Sequence, residues 1–380
     1  MNVLVVGGKL QGTEITFLAK EAGWHVTLVD RNEYALASKL CDEFICVDVL
    51  NLTSEFLAVF DVVLPAIEDY YVLCRLQDLC EVAQVPFMFD RNAYQISSSK
   101  QASDSFLAEL GVHTPPRVDE EACWKDGYLV KPDSASGSKG VVRFMQRDDA
   151  LAYTSSAPDR LCQVFLAGDV LSVEVICDID HVESFLVTHV VVGDDFDCHR
   201  IVAPAAVTQS EMQAIRALAS CIGRGLRMRG IFDIEFIMRN GVPYVLEIDA
   251  RMPSQTPVAI YCATGTNLLI EAVRVFCPSA HYPSLGVSHA RSCSILQHVR
   301  INRGTVELIG ECCLADAPAL VRDDGLFGAD VALAAYSEDR TVRYATLIVC
   351  GSEGGTTQMR LRQALENARA YANQRMVTEE

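Results

Sequence analysis

Apolar and polar positions follow two rhythms along this chain, and the change of rhythm divides it. Near the start the apolar runs are short and unbroken: Val3-Leu4-Val5-Val6, then 25–29, with further strand candidates at 44–48, 62–66 and 86–89. Runs without alternation suit strands buried on both faces, as in parallel sheets. Helical spacing covers 13–22, 53–60, 70–80 and 91–96 between and after them. The pattern predicts a small, mostly parallel sheet with helices on both sides, opening with a mononucleotide-type β-α-β unit. The turn Gly7-Gly8-Lys9-Leu10-Gln11-Gly12 reads GGxxxG, where a dinucleotide fingerprint wants GxGxxG. That departure weakens a nicotinamide-dependent oxidoreductase reading. Asp30, ending the second strand, serves equally as a ribose ligand or a turn cap.

An amphipathic helix is predicted over 99–110, with Phe106, Leu107 and Leu110 on its apolar side and Lys100 in its first turn. Gly111 ends it, and HTPPRVDE is a turn-rich connector that places a boundary near residue 112. Beyond it, strands at 128–131 and 141–144 flank a glycine- and serine-rich loop, 133–140. Such a loop offers N–H groups and hydroxyls to phosphates, or is simply a flexible hairpin tip. Further strands are expected at 161–165, 171–177 and 184–192, then a helix at 209–222. A helix near 265–276, strands at 293–299, 305–309 and 343–350 and a surface helix at 357–375 complete the chain, without an internal repeat.

The richest stretch is GIFDIEFIMRNGVPYVLEIDARMPSQTP, 230–257. Two apolar strands meet at Asn240-Gly241; one carries Asp233 and Glu235, the other Glu247 and Asp249. Side chains two apart in a strand share a face, so Glu247 and Asp249 point the same way. Carboxylates held that close call for a cation between them. Oxygen ligands of this kind suit magnesium completed by water and substrate phosphates. Arg251, again two residues on, is placed to grip a phosphate or carboxylate. The plainer alternative is a hairpin with a solvated polar face.

Composition narrows the classes. The chain has 380 residues, half of them hydrophobic, enough for two or three domains with real cores. No uninterrupted apolar run reaches the roughly 18–20 residues of a membrane span, and MNVLVVGGKLQG does not read as a signal peptide. Fifteen cysteines scattered through apolar segments indicate buried thiols in a reducing compartment. Cys312 and Cys313 are adjacent, but no second CxxC completes a zinc set. A cytoplasmic location is expected. The net charge of −18 argues against nucleic acid as a partner.

The order of these features resembles the ATP-grasp ligases over the first 275 residues at least: Rossmann-like start, lysine on a helix, Val-Lys-Pro before a Gly/Ser loop, Asp-x-Glu, then Glu-Ile-Asp-Ala-Arg. Within them, GGKLQG at 7–12, DCH at 197–199 and EIDARMPSQTPVAIY at 247–261 resemble the pyrrolysine-biosynthesis ligases that join 3-methyl-D-ornithine to lysine, over essentially the whole chain. The resemblance implies an α/β protein, α+β in its central and C-terminal parts. Its ATP-grasp fold would follow an N-terminal Rossmann-like domain at 1–112, with a central subdomain at 113–205 and a C-terminal one at 206–380. It implies ATP and Mg²⁺ as cofactors. The activity implied is an ADP-forming carboxylate–amine ligation through an acyl phosphate, with amino acids as small-molecule partners, no membrane, and a monomer or homodimer.

Carried over by position, Lys100 and Lys131 match the lysines that contact ATP phosphates, and Ser136, Gly137 and Ser138 fall in the phosphate-covering loop. Gln163, Phe165 and Leu166 match the hinge that reads adenine; the family often has Glu where this chain has Gln163-Val164. Asp233, Glu247 and Asp249 match the magnesium-facing acids, and Arg251 the arginine near the transferring phosphoryl group. Asp249 stands where the wider family commonly has Asn; an oxygen ligand is kept and a charge added. With Lys100, Lys131 and Arg251 as the charged groups at that phosphoryl group, no covalent nucleophile is required. For the amino acids, Glu174, Asp197 and His199 are candidate ionic partners, the last two being equally a turn with a surface histidine. Ser254, Gln255 and Thr256 are candidates for a carboxylate pocket; Lys9, Leu10, Gln11, Gly12 and Glu68, with Asp69 beside it, for the lysine pocket. A ligase with other amino-acid substrates and a nucleotide-binding regulatory protein stay open at this point.

Overall fold

A computed structural model of the chain describes residues 1–118, 124–134, 137–280, 282, 292–337, 339 and 341–377, with side chains as far as Gln374. It divides into two units, Met1–Phe89 with His199–Pro204 and Met252–Glu380, and Asp90–Cys198 with Ala205–Arg251.

The first unit opens with the expected parallel sheet. Strands β1 (Asn2–Val6), β2 (His25–Asp30), β3 (Glu43–Cys46) and β4 (Val62–Pro65) lie in the order β3-β2-β1-β4. Val3 to Val6 have no exposed surface, which explains the unbroken apolar run. Helices α1 (Leu10–Glu21), α2 (Ser54–Leu57) and α3 (Tyr70–Ala83) connect the strands. The segment 86–89, expected as a strand, contributes one bridge, Val63 to Phe87; Pro86 there has no N–H to donate. The glycine turn is a packing device. A Cβ on Gly12 would lie 2.0 Å from the Gly7 oxygen, and Gly7 itself has φ +101°. Asp30 takes the capping role, accepting from the Gly8 N–H at 2.7 Å and the Asn32 N–H at 2.8 Å.

The second unit begins with α4 (Arg91–Ser97) and α5 (Lys100–Glu109). Strands β5 (Tyr128–Pro132), β6 (Val142–Phe144) and β7 (Arg160–Val164) form an antiparallel sheet in the order β6-β5-β7. On one face Tyr128, Val130 and Cys162 pack with Ala150 of α6 (Arg147–Ser155), a short polar helix the apolar pattern did not reveal. Strands β8 (Val170–Asp178) and β9 (His181–Val192) follow. The chain then enters the first unit as β10 (Cys198–Ala203), unforeseen because Cys-His-Arg does not read as a strand. It continues in the second unit as α7 (Gln209–Leu226), β11 (Arg229–Arg239) and β12 (Val242–Asp249), making the strand order β12-β11-β8-β9. The α7 residues Ile215, Leu218, Ala219, Ile222 and Leu226 pack on that sheet, and so do Phe106, Leu107 and Leu110 of α5. That packing places 90–112 with the second unit, so the contact boundary falls upstream of the connector at 112.

The remainder of the first unit carries α8 (Thr256–Thr264) and α9 (Leu268–Phe276), where one helix was expected. Gly265, at φ +78°, ends α8, and the Asn267 side chain caps α9. Strands β13 (Cys293–Asn302) and β14 (Thr305–Leu308), helix α10 (Glu311–Ala315), strands β15 (Val321–Arg322), β16 (Val331–Tyr336) and β17 (Arg343–Gly351), and helix α11 (Gly354–Val377) complete it. The strand order is β10-β13-β17-β16-β15, with β14 beside β13. Leu361, Ala364, Leu365, Ala368 and Ala372 form an apolar stripe by which α11 covers Val299, Leu347 and Val349. The link between 252–380 and the N-terminal sheet is α1 against α8 and α9, where the Val258 N–H donates to Glu14 and the Asn267 amide to the Leu18 oxygen. Among the described residues no single helix is long and apolar enough to cross a membrane; the apolar pair α8 and α9 is bent by 110°. The described cysteines are all free.

Candidate active site

The β11–β12 hairpin turns at Asn240 and Gly241, with φ of 53° and 78°, as a two-residue turn between twisted strands requires. Its register sets Asp233 opposite Asp249 and Glu235 opposite Glu247, while β8 sets Glu174 opposite Asp233 and Ser172 opposite Glu235. Directly opposed residues share a face. Alternation therefore sends Val173, Val175, Phe232, Ile234, Phe236 and Ile248 into the core under α7 and the carboxylates to the other side. Glu174 has no exposed surface and Asp233 is 8 % exposed. This is not the solvated face of a surface hairpin.

Cations meet these acids. Lys100 Nζ donates to Glu247 Oε1 at 2.9 Å, and Arg251 Nη2 to Asp249 Oδ2 at 2.9 Å. Lys131 is buried in the same group: burial holds its ammonium below the ordinary lysine value, Glu247 pulls it back up, Lys100 pushes it further down, and Asp104 and Glu235 oppose the fall. Asp233 is the least compensated. Burial, then Asp249 and Glu235, drive its carboxyl well above the usual range against Arg251, and its Oδ1 accepts no hydrogen bond among the described residues. Ser172 Oγ donates to Glu174 Oε1 at 3.1 Å.

Local sequence explains how Lys100 is aimed. Ser99 caps α5, and its hydroxyl donates to the Asp133 carboxylate at 3.0 Å. Asp133 also accepts from the Gln101 N–H at 2.8 Å and, through its main-chain oxygen, from the Lys100 N–H at 3.0 Å. The start of the glycine- and serine-rich loop is thereby pinned to the helix that carries Lys100. In that loop Gly137 and Ser138 adopt left-handed φ of 61° and 55°, and Ser138 Oγ donates to the Phe196 oxygen at 2.8 Å. Ser136 lies outside the described residues. Gln163 is buried, its amide donating to Asp104 Oδ2 at 3.0 Å. The Phe165 ring packs under Arg143 at 3.9 Å and against Phe196 at 6.0 Å, and Leu166 is buried beside Ile237.

Other candidates divide between the units. Asp197, in the second, is buried in the turn after β9, its N–H bonded to Asp195 Oδ1. In the first unit Lys9 is exposed ahead of α1 and Leu10 half-buried, while Gln11 is committed to packing through a 2.8 Å bond to the Met252 oxygen, as is Gly12. Glu68 is exposed, and Asp69 caps α3 by accepting from the Val72 N–H. His199, on β10, accepts at its carbonyl from Gln297 Nε2. Gln255 stands at φ 71°, ψ −46°, with the Thr256 N–H bonded to the Ser254 oxygen around it: a γ-turn of the strained hand. Its side chain donates to Glu311 Oε2 at 2.5 Å and faces His298 Nε2 at 2.6 Å, while His298 Nδ1 meets Thr346 Oγ1 at 2.9 Å. Thr256 Oγ1 is buried without a partner among the described residues.

An ATP-grasp domain model matches residues 97–255, which contain Lys100, Lys131 and the acidic hairpin. The 3-methyl-D-ornithine–L-lysine ligase of Methanosarcina barkeri (strain Fusaro) is 36 % identical over 278 residues, 72 % of this chain and 73 % of that protein. The chain belongs to this family of ATP-grasp ligases. It is an ATP-dependent carboxylate–amine ligase. Solved structures agree on the fold: an ADP complex of N5-carboxyaminoimidazole ribonucleotide synthetase aligns with TM-score 0.70 at 15 % identity, covering 96 % of each chain. The L-amino acid ligase of Bacillus licheniformis aligns with TM-score 0.68 at 15 % identity, covering 96 % of this chain and 97 % of that one.

The residues present in this ligase fit a hard divalent cation. The oxygens offered are all carboxylate oxygens, and the buried Asp233 Oδ1 has no donor among the described residues. Among the described residues no three His, Cys, Asp or Glu side chains form a ready metal cage, so the remaining ligands would be water and phosphate, as magnesium favours. Sequence reading missed Asp104, which accepts from both Gln163 and Arg117, although its spacing of four from Lys100 was a signal. It also missed His298, a lone histidine in an apolar strand, for which no local signal existed.

Proposed function

We propose that this ligase joins (3R)-3-methyl-D-ornithine to the ε-amine of L-lysine, with Mg-ATP, as a step of pyrrolysine biosynthesis. The observation that carries the reading is the 36 % identity to the M. barkeri enzyme across 73 % of its length. The donor carboxylate attacks the γ-phosphorus of ATP, forming an acyl phosphate and releasing ADP. The ε-amine then attacks the acyl carbon, forming the amide, losing a proton and releasing phosphate. Two anions must meet in the first step, so Lys100, Lys131 and Arg251 act by offsetting charge at the transferring phosphoryl group. Glu247 and Asp249, with Asp233, would hold magnesium, which when bound would supply further positive charge on the phosphates. Glu174 is assigned to an ammonium group of the donor, and Asp197 and His199 are further candidates for an ionic partner. Ser254, Gln255 and Thr256 are assigned to a carboxylate, and the 9–12 turn with Glu68 to lysine.

Product mass from alternative donors with ATP, magnesium and L-lysine tests the substrate pair. D-ornithine lacks only a methyl and remains usable, since one methyl in an apolar pocket discriminates by about 1–3 kcal/mol. L-ornithine fails more severely, because inversion separates either its ammonium or its carboxylate from its partner. Equal rates for the two ornithines, or ligation through the α-amine of lysine, would overturn the assignment while leaving the ATP-grasp chemistry intact.

A further inference from the structure

We propose that Asp104 is a positioning residue of the nucleotide site. Its carboxylate locks the Gln163 amide so that the amide oxygen is offered to the base, setting a preference for a base with an exocyclic amino group over one with an oxo group. The inference rests on the assignment of Gln163 to the adenine-reading hinge.

Asp104 follows Lys100 by one helical turn on α5, so the two share a face. Its Oδ2 accepts from Gln163 Nε2 at 3.0 Å and from Arg117 Nε and Nη2 at 3.3 Å. Gln163 and Arg117 stand directly opposite each other in an antiparallel bridge, so one carboxylate gathers both. The β5–β7 register pairs Leu129 with Gln163 and Lys131 with Leu161. Gln163 and Lys131 therefore share the face of the small sheet opposite the core of Tyr128, Val130 and Cys162. Asp104 is also among the charges acting on Lys131. The carboxylate thus touches the hinge amide and acts on the phosphate-facing lysine.

The chemistry of the pair fixes which way the amide faces. An ionised carboxylate only accepts hydrogen bonds, and turning the Gln163 amide over would set oxygen against oxygen at that contact. Burial raises the Asp104 carboxyl above its ordinary value, while Arg117, Lys131 and the Gln163 amide favour its ionised form. The amide therefore gives its N–H to Asp104 at 3.0 Å, and its Oε1 is turned away from that carboxylate. An amide oxygen only accepts, so one presented to the base pairs with an N–H and not with a second oxygen. The 6-amino group of adenine supplies one; the 6-oxo group of guanine brings a second acceptor. Sites built to hydrogen-bond a substrate group reject an analogue lacking it far more strongly than shape alone does.

The test is kcat/KM for ATP and for GTP, by nucleoside-diphosphate release, in the wild type, Asp104→Asn, Gln163→Leu and the double variant. The wild type is expected to favour ATP. Asp104→Asn, whose own amide can meet either end of Gln163, lowers the ATP/GTP ratio about tenfold or more, as loss of one oriented hydrogen bond does. Gln163→Leu lowers it to a similar extent, and the double variant goes no lower, because Asp104 acts through Gln163. A purely structural Asp104, or one acting only through Lys131 on the phosphates, would lower both nucleotides equally and leave the ratio unchanged; that result overturns the inference. An unchanged ratio in Gln163→Leu overturns it too, and stays decisive should Asp104→Asn not fold. Failure of the wild type to bind either nucleotide overturns the nucleotide assignment, and the inference with it. Equal losses in the variants of a selective wild type remove the inference alone.

Discussion

Half-buried Asp249 and fully buried His298 show two different reasons for withdrawing a polar side chain from water. Asp249 sits opposite Asp233 and is met by Arg251. Asp249→Ala is expected to leave the fold intact, since relief of repulsion from Asp233 offsets the lost ion pair. It should lower turnover by about 10²–10³, the usual result of removing one partner of a developing charge. Retention of more than about half of normal kcat at saturating magnesium would refute that role. His298 works on stability. The Glu311 carboxylate takes the Gln255 N–H, which turns the Gln255 oxygen toward His298 Nε2. Nε2 must therefore carry the proton, and Nδ1 accepts from Thr346. Burial first, and His199 second, hold the imidazole down to about 3. A folded-state pKa below the unfolded value near 6.5 means the unfolded chain binds more protons between those values. Stability is thus full above pH ~6.5 and falls as pH drops through the window, by up to about 1.4 kcal/mol per unit. Urea unfolding at pH 7 and pH 5 checks this: His298→Gln should lose roughly 1–2 kcal/mol less than the wild type over that interval, and equal losses would count against it. Lys100, Lys131 and the acids were legible in sequence because their order is a linear pattern. Asp104 and His298 were not, because their roles are made by partners on β7 and at Gln255.

At the scale of elements, the alternation of β11 and β12 carried most of the site. Once the strands were recognised, period two put Glu247 and Asp249 on one face, and the observed register added Glu174 from β8. Elements with weak periodicity stayed hidden: α6 is short and polar, with Asp148 and Asp149 in its first turn, and α8 is buried nearly all round, so it shows no apolar stripe. The glycine turn before α1 was legible as a turn but not in purpose. Its glycines let α1 approach the end of β1, where a Cβ on Gly12 would meet the Gly7 carbonyl at 2.0 Å. The atom met is backbone and the Cβ is fixed to the helix, so the helix itself must shift. Gly12→Ala should therefore destabilise the protein by about 1–3 kcal/mol, as overpacking does. Chemical denaturation measures this, and a variant as stable as the wild type would show that α1 is free to move.

For the whole molecule, the contact division joins 252–380 to the N-terminal sheet and leaves Lys100, Lys131, Gln163 and the acids of the β11–β12 hairpin together in the other unit. Sequence order suggested a three-part chain because linear proximity is all a sequence displays; the packing of α5 under the β8–β11–β12 sheet is a long-range fact. The arrangement predicts how ligand binding is felt. Glu174, Asp233, Glu235, Glu247 and Asp249 are gathered on one face, against Lys100, Lys131 and Arg251. A net negative, partly buried cluster of this kind destabilises the ligand-free state. ATP alone adds negative charge to it, whereas magnesium with ATP offsets the charge and completes the ion's oxygen shell. Magnesium and ATP together should raise the unfolding free energy by about 2.7 kcal/mol at a hundredfold excess over Kd, and ATP with a chelator by much less. The gain should register as slowed amide exchange in α5, β5, β7 and the β11–β12 hairpin, while the α11-covered core of β13 and β17 changes little. Asp233→Asn sharpens the test, since it removes a carboxyl whose ionisation burial, Asp249 and Glu235 oppose and whose Oδ1 has no donor among the described residues. That variant should be more stable than the wild type without ligand and gain less from magnesium and ATP. A variant that is less stable alone, or that gains as much as the wild type, would show that Asp233 is not held in reserve for a cation.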